Sequence, residues 1–192
     1  MAEKDLKKKK KHWFSILASE DFNQAKLGET LASEVGNLIG RHIRVNLMSL
    51  TNEPKKQSFS LVFVVQNVEG DIAHTALEGY YMNQAYLRRM VRKSVQKIED
   101  SFFVVTKDNV KLVVKPVFVT KVKILRGVAT RLRKTARELV AQTAKDTASA
   151  ELFSKVISNK LQMELKEAFK KIYPVSLSEI RVLARAHPPK AI

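Results

Sequence analysis

Cysteine is absent from the 192 residues, and no uncharged stretch is long enough to cross a membrane. Without cysteine the chain has no disulfide framework, no thiolate zinc site and no thiol nucleophile. A spanning helix needs about 18 or more apolar residues, and no apolar segment of the kind found in signal peptides follows the basic N-terminus. We therefore expect a soluble, intracellular protein.

Acidic residues are scarce relative to basic ones. The chain has 19 Asp and Glu against 35 Lys and Arg, for a net charge of +16. Such an excess repels itself in the folded state and attracts polyanions. Hydrophobic residues still make up 45% of the chain, which is typical of globular proteins. The charge therefore belongs to a folded protein, and it favours nucleic acid, an anionic membrane or an acidic protein as the partner.

Catalytic motifs are lacking as well. The sequence contains no GxxxxGK[ST] phosphate loop, no GxGxxG after a strand and no HExxH. Its four histidines are scattered without metal-ligand spacing, and carboxylates such as Glu164 and Glu167 lie among lysines, as on a solvated helix face. We expect no catalytic residue, metal, cofactor or small-molecule substrate.

Basic residues gather in three clusters that contain no acidic residue. The clusters are Lys7, Lys8, Lys9, Lys10 and Lys11; Arg88, Arg89, Arg92, Lys93 and Lys97; and Lys121, Lys123, Arg126, Arg131, Arg133, Lys134 and Arg137. One such cluster is most simply a solvated surface, but three together favour phosphate binding. Arginine presents a planar fork that matches phosphate, so the second and third clusters predict shaped contacts. The lysine cluster predicts flexible, charge-driven attraction.

The third cluster conflicts with the local physics of a helix. It places cations in what should be the first turns of a helix, where the macrodipole favours anions by about 0.3–1 kcal/mol per charge. A bound phosphate would reverse that penalty, because it is attracted both to the arginines and to the helix N-terminus. This arrangement predicts an anionic partner at the start of the helix.

The first cluster runs directly into His12, Trp13 and Phe14, and Trp13 is the only tryptophan of the chain. Two interpretations stay open. The aromatic side chains could stack on bases or fill a groove of a partner, or they could dock on the protein's own core and anchor the tail. Residues 1–11 by themselves should be disordered, because like charges this dense repel each other.

Strand patterns dominate the middle of the chain. Apolar residues alternate in 41–50, and further strands are predicted at 58–68, 101–106 and 110–120. Gly70-Asp71 and Asp108-Asn109 predict two hairpin turns. Pro116 has no backbone donor, so its strand should lie at an edge or bend there.

Helical patterns occupy 82–97 and the last third. A first stripe is followed by a second pattern over 152–172, with a break near Asn159 and an end at Pro174, before a closing strand at 175–184. The first stripe comprises Val128, Leu132, Ala136, Leu139 and Thr143. We expect an α+β fold with a basic tail at 1–20, a single globular domain at 21–184 and a short tail at 185–192.

Several segments in a fixed order carry a family resemblance. They are KKKKHWFSILA near the start, LGETLASEVGNLIGR at 27–41, VEGDIAHTALEGYYMNQAYLRRMVRK at 68–93, VVTKDNVKLVVKPVFVT at 104–120 and KEAFKKIYPVSLSEIRV at 166–182. Together they resemble the archaeal and eukaryotic small-subunit ribosomal protein family S-three-Ae, called eS-one in the unified naming. The end at Ile192, without the longer extension of eukaryotic members, is similar to archaeal members.

This resemblance implies a structural constituent of the small ribosomal subunit that supports translation. Members have a β-barrel-like core, here about 40–120, flanked by helices, and a basic tail that threads into rRNA. They lie on the platform near the mRNA exit. The implied partners are small-subunit rRNA and neighbouring platform proteins, with contact between tail and mRNA left open. The implied location is cytoplasmic and ribosome-bound, without a membrane.

The resemblance and the charge clusters together define the expected rRNA-binding residues. These are Lys7, Lys8, Lys9, Lys10, Lys11, His12, Trp13, Arg88, Arg89, Arg92, Lys93, Lys121, Lys123, Arg126, Arg131, Arg133, Lys134 and Arg137. The same charges allow two other interpretations. One is a non-ribosomal basic protein that regulates mRNA or binds a membrane surface, and the other is an enzyme acting on nucleic acid, which needs carboxylates or a base beside the basic face.

Overall fold

The computed structural model describes residues 10–91 and 93–186. The strands are β1 (His12–Leu17), β2 (Lys26–Ala32), β3 (His42–Asn46), β4 (Phe59–Glu69), β5 (Ile72–Met82), β6 (Lys97–Glu99), β7 (Phe102–Val105), β8 (Lys111–Thr120) and β9 (Val175–Arg185). The helices are α1 (Leu47–Thr51), α2 (Gln84–Met90), α3 (Arg126–Asp146), α4 (Ser149–Ile157) and α5 (Lys160–Lys170), with single 3-10 turns at Glu20–Phe22, Val35–Asn37 and Pro54–Lys56. The predicted α+β class, strand-rich in the middle with helices in the last third, is confirmed.

The chain divides into two compact units. The first unit holds residues 1–57 and 61–78, and the second holds residues 58–60 and 79–192. The hairpin of β4 and β5 contributes to both units. The first residues of β4 and the last residues of β5 belong to the second unit, and the rest of the hairpin with its turn belongs to the first.

The strands of the first unit follow the order β3, β4, β5, β1, β2. β1 is parallel to β5 and antiparallel to β2. Arg41, just before β3, reaches the other outer strand: its Nη1 donates to Thr30 Oγ1 at 2.6 Å and to the Leu31 carbonyl at 3.3 Å. This side-chain contact links the two outer strands at one end, although the strands themselves do not pair and the sheet stays open.

Apolar side chains from several of these strands meet in one core. Its buried members are Phe14, Ile16, Ala32, Leu38, Val65 and Ala73. β1 alternates so that Phe14 and Ile16 point into this core while Trp13 does not. The predicted hairpin turn at Gly70 is confirmed, and Gly70 has a φ of +59°, which glycine adopts without steric cost.

In the second unit, the end of β5 pairs with β9, β9 pairs with β8, and β8 pairs on its other side with β6 and β7. Phe118 on β8 packs edge to face against Phe169 on α5, with ring centroids 4.6 Å apart. The second predicted turn is also found: Asn109 has a φ of +56°, a conformation that asparagine tolerates better than most residues.

Pro116 lies in a strand that is paired on both sides, so the edge placement allowed by the sequence is wrong. The pairing of β8 with β9 shifts register between Lys115 and Pro116. Such an irregularity removes the need for the backbone donor that proline lacks.

The last third is helical with the predicted interruptions. α3 buries Ala129, Leu132, Ala136, Val140 and Ala144, so only Leu132 and Ala136 of the predicted stripe are fully buried. Asn159, at a φ of +60°, separates α4 from α5, and β9 begins directly after Pro174.

Two parts of the chain differ from the sequence prediction. β1 and β2 form where no strand was predicted, and β1 is the first element of the described residues. The helix predicted over 82–97 ends at Met90, and β6 follows at Lys97–Glu99.

Candidate nucleic-acid interface

The positive charge is distributed unevenly between the two units. The second unit has 24 Lys and Arg against 9 Asp and Glu, a net charge of +15, whereas the first has 11 against 10. Six of the first unit's cations lie in the N-terminal stretch up to Lys11. A polyanion would therefore be attracted to the second unit and to the N-terminal stretch.

The third basic cluster lies at the start of α3, as predicted. α3 begins at Arg126, and its first turn, all of it described, holds no acidic residue. Leu125 occupies the N-cap position without a side-chain cap and is 79% exposed. Lys121 and Lys123 are exposed in the loop just before it. A helix N-terminus without a side-chain cap and three nearby cations thus point to an anion at this helix end.

Farther along α3 the cluster separates into two groups. Arg131 and Lys134 are exposed; Lys134 is 4.0 Å from Glu138, a distance at which a surface ion pair is weak. These two side chains are available to phosphates.

Arg133 and Arg137 instead turn toward the protein. Arg137 donates from Nε and Nη2 to both carboxylate oxygens of Asp100, at 2.5 and 2.6 Å. This hydrogen bonding lowers the pKa of the Asp100 carboxyl. Arg133 Nε donates to the Glu99 carbonyl at 3.2 Å. Both arginines thus fasten α3 to the last residue of β6 and to the residue that follows it, which is a structural role.

The second basic cluster lies on and after α2. Arg88 and Arg89 are exposed on that helix and Lys93 is exposed after it; the guanidinium of Arg89 lies 5.6 Å from the centre of the Tyr86 ring. Arg92, like Lys7, Lys8 and Lys9, lies outside the described residues.

Arg88 helps to line an open cleft of about 410 Å³ together with Lys97 and Arg181. Glu99 partly neutralises this cleft, because it lies 3.0 Å from Lys97 Nζ and 3.4 Å from Arg181 Nη1. Arg181 is absent from the sequence-based set. β9 reaches β6 only through β8, so the sequence carries no signal that places Arg181 beside Arg88.

In the first unit, Lys10, Lys11 and His12 are exposed at the start of β1. Trp13 is 65% exposed, whereas Phe14 is 6% exposed. Each of the two interpretations of this aromatic segment therefore fits one residue. Phe14 anchors the segment on the core, and Trp13 presents its ring to solvent.

One further carboxyl group, on β9, is largely buried. Glu179 on β9 has an Oε2 atom without a hydrogen-bond partner among the described residues, and burial raises its pKa from 4.5 to about 7. Burial, and secondarily the charge of Glu179, raises the pKa of Tyr80 and Tyr86. This carboxyl group is relevant to the stability of the fold.

Neither a metal-binding cluster nor a membrane-spanning helix is present among the described residues. Within 10–91 and 93–186, His, Asp and Glu side chains form no group of three that could hold a metal ion. None of the helices in those residues is long and apolar enough to cross a membrane.

The fold and the charges define a strongly basic α+β protein whose cations are presented by the second unit and the N-terminal stretch. The profile of the Ribosomal S3Ae family matches residues 2–185. The small ribosomal subunit protein eS1 of Nanoarchaeum equitans is 34% identical over 90% of this chain and 87% of its own length. The protein of the same name in Methanobrevibacter smithii is 33% identical over 90% and 89%, and that in Haloarcula marismortui 31% over 94% and 86%. The chain belongs to the ribosomal S3Ae family.

Proposed function

We propose that the protein is a structural constituent of the small ribosomal subunit, held there by contacts between its basic side chains and rRNA phosphates. The observation that carries this proposal is the cationic, acid-free start of α3 with its uncapped backbone N–H groups. The eS1 names of its relatives support the ribosomal setting. In this proposal the protein lies on the platform near the mRNA exit, ribosome-bound in the cytoplasm, beside other platform proteins.

The mechanism is neutralisation of phosphates with release of counterions. Each contacted phosphate should add about 0.7–0.9 to the slope of log affinity against log salt concentration. Because folded RNA is recognised largely through its shape and its sugar-phosphate backbone, the shaped surface of the second unit supplies selectivity. The contributing side chains are Lys121, Lys123, Arg126, Arg131 and Lys134 on one cluster and Arg88, Arg89, Lys93, Lys97 and Arg181 on the other.

Binding to purified small-subunit rRNA tests this proposal. We expect saturable one-to-one binding of the full chain that persists in excess transfer RNA, with a salt slope equivalent to several phosphates. Filter binding over a series of KCl concentrations measures both quantities. Equal affinity for small-subunit rRNA and for an unrelated RNA of the same length would contradict the proposal and favour a non-ribosomal basic RNA-binding protein.

Trp13 offers a direct probe of the N-terminal contact. Since it is the only tryptophan and is 65% exposed, we expect acrylamide to quench its emission readily in the free protein. Adding small-subunit rRNA should reduce that accessibility and quench the emission by stacking on a base. Heparin is the control, because it binds cations but has no bases. An unchanged Trp13 signal at saturating rRNA would show that this side chain does not contact RNA.

A further inference from the structure

The edge strand β7 exposes an unusual amount of apolar surface. Phe103 is 61% exposed and Val105 is 50% exposed, although β7 is paired with β8 and packs near α3. The intervening Val104 is buried, so β7 alternates as a strand should, with its outward positions apolar instead of polar. Apolar patches with a polar rim on a folded protein commonly mark interaction sites.

Basic side chains surround this apolar surface. A groove of about 530 Å³ between β7 and α3 is lined by Phe103, Val105, Ala141, Lys107 and Lys145, among others. The Nζ of Lys111 lies 4.6 Å from the centre of the Phe103 ring. No carboxylate lines the groove in the part of the chain that the structure describes. Asp108, the acidic residue of the adjacent turn, accepts a hydrogen bond from the Ser149 backbone N–H at 2.9 Å.

An exposed aromatic ring beside ammonium groups matches the chemistry of a single-stranded nucleic acid. An unpaired base stacks on an aromatic face, and cations track the adjoining phosphates. A duplex offers phosphates but keeps its bases stacked inside, so it cannot use the ring. The groove is large enough for a group the size of a nucleotide. On α3, Lys145 lies one turn beyond Ala141 on the same helix face, so its ammonium group borders the groove.

We propose that the groove between β7 and α3 holds an unpaired rRNA nucleotide, whose base stacks on Phe103 while Lys107, Lys111 and Lys145 neutralise its flanking phosphates. This inference rests on the proposed rRNA-binding function and adds to it a specific preference for single-stranded RNA at this groove.

The test compares Phe103 variants of the full chain in fluorescence anisotropy with two probes of equal phosphate number: an unstructured single-stranded RNA and a blunt RNA duplex. Phe103→Ala and Phe103→Leu should each weaken single-strand binding about tenfold or more, since stacking contributes that much per base. Phe103→Trp should retain it. Duplex binding and the salt slope should stay unchanged, because phenylalanine carries no charge.

Met163→Ala is the matched control, because Met163 is a similarly exposed apolar side chain on α5, at 59%. Circular dichroism establishes that each variant is folded, and Phe103→Leu keeps a bulky apolar side chain in the strand if alanine disturbs it.

Wild-type affinity in Phe103→Leu, or an equal loss of affinity for both probes, overturns the inference. Reduced incorporation into subunits with unchanged RNA affinity also overturns it, in favour of a protein partner. If the wild type binds neither probe nor rRNA, the proposed function itself fails.

Discussion

Replacing Arg131 and Lys134 together by alanine is expected to weaken binding to small-subunit rRNA roughly 25- to 60-fold at about 0.1 M salt. Each phosphate contact contributes a factor of about five to eight under these conditions through released counterions, and the salt slope should fall by about 1.4–1.8. Both side chains are exposed on α3, so the folded state should be unaffected in circular dichroism. Filter binding of rRNA over a salt series measures the effect.

Lys26→Ala with Lys55→Ala is the control for this prediction. Both lysines are exposed in the first unit, so the control removes the same net charge without touching α3. If the control variant binds rRNA as weakly as the α3 variant, total charge, and not the exposed cations of α3, governs binding. Arg133 and Arg137 are unsuitable for this test, because their contacts with Glu99 and Asp100 make their loss structural.

Glu179→Gln is expected to stabilise the protein by about 3 kcal/mol at pH 8 and by progressively less toward pH 5. Burial raises the pKa of the folded-state carboxyl from 4.5 to about 7, and one pKa unit corresponds to about 1.4 kcal/mol. Between these values the folded state binds more protons than the unfolded state. The stability of the wild type therefore falls as pH rises through this window, and the full penalty is present above about pH 7.

Urea unfolding at several pH values, with the difference between variant and wild type plotted against pH, measures this effect. Subtraction cancels the titration of the other carboxylates. Glu164→Gln on α5 is the matched control, because Glu164 is exposed and its replacement should give a nearly flat difference. A flat difference for Glu179→Gln as well would show that Glu179 ionises in the folded protein as readily as in the unfolded one.

The parts of the fold that local chemistry dictates were predictable from the sequence. The turns at Gly70 and Asn109 and the helix break at Asn159 depend on residues that tolerate a positive φ, and all three occur. Pro174 likewise ends the helical region where proline should. These signals act within a few residues, so neither the sheet order nor the division into units is needed to interpret them.

β1 and β2 could not be predicted in the same way. β2 has the sequence KLGETLA, in which the apolar residues do not alternate and Gly28 contributes no side chain to the strand pattern. Its conformation depends on pairing with β1, which in turn is placed by a parallel contact with β5 nearly sixty residues away along the chain. Long-range pairing of this kind overrides weak local propensity.

The candidate interface shows the same division. The concentration of cations at the start of α3 followed from the sequence, since it needs only the helix boundary. The roles of individual arginines could not be predicted from the sequence. Arg137 binds Asp100, which is 37 residues away along the chain. Arg181 lines the same cleft as Arg88 only because β9 pairs with β8 and β8 pairs with β6. Likewise, the lysines around Phe103 lie on different elements and form no cluster in the sequence.

Sedimentation of cell lysate through sucrose gradients at low and high magnesium tests the central claim most directly. Detection of the protein in each fraction gives its copy number per small subunit. A structural constituent should migrate with small subunits at one copy each, follow them when low magnesium separates the two subunits, and stay bound in moderate salt. Recovery mainly at the top of the gradient, or association with ribosomes only at low salt, would contradict the ribosomal assignment.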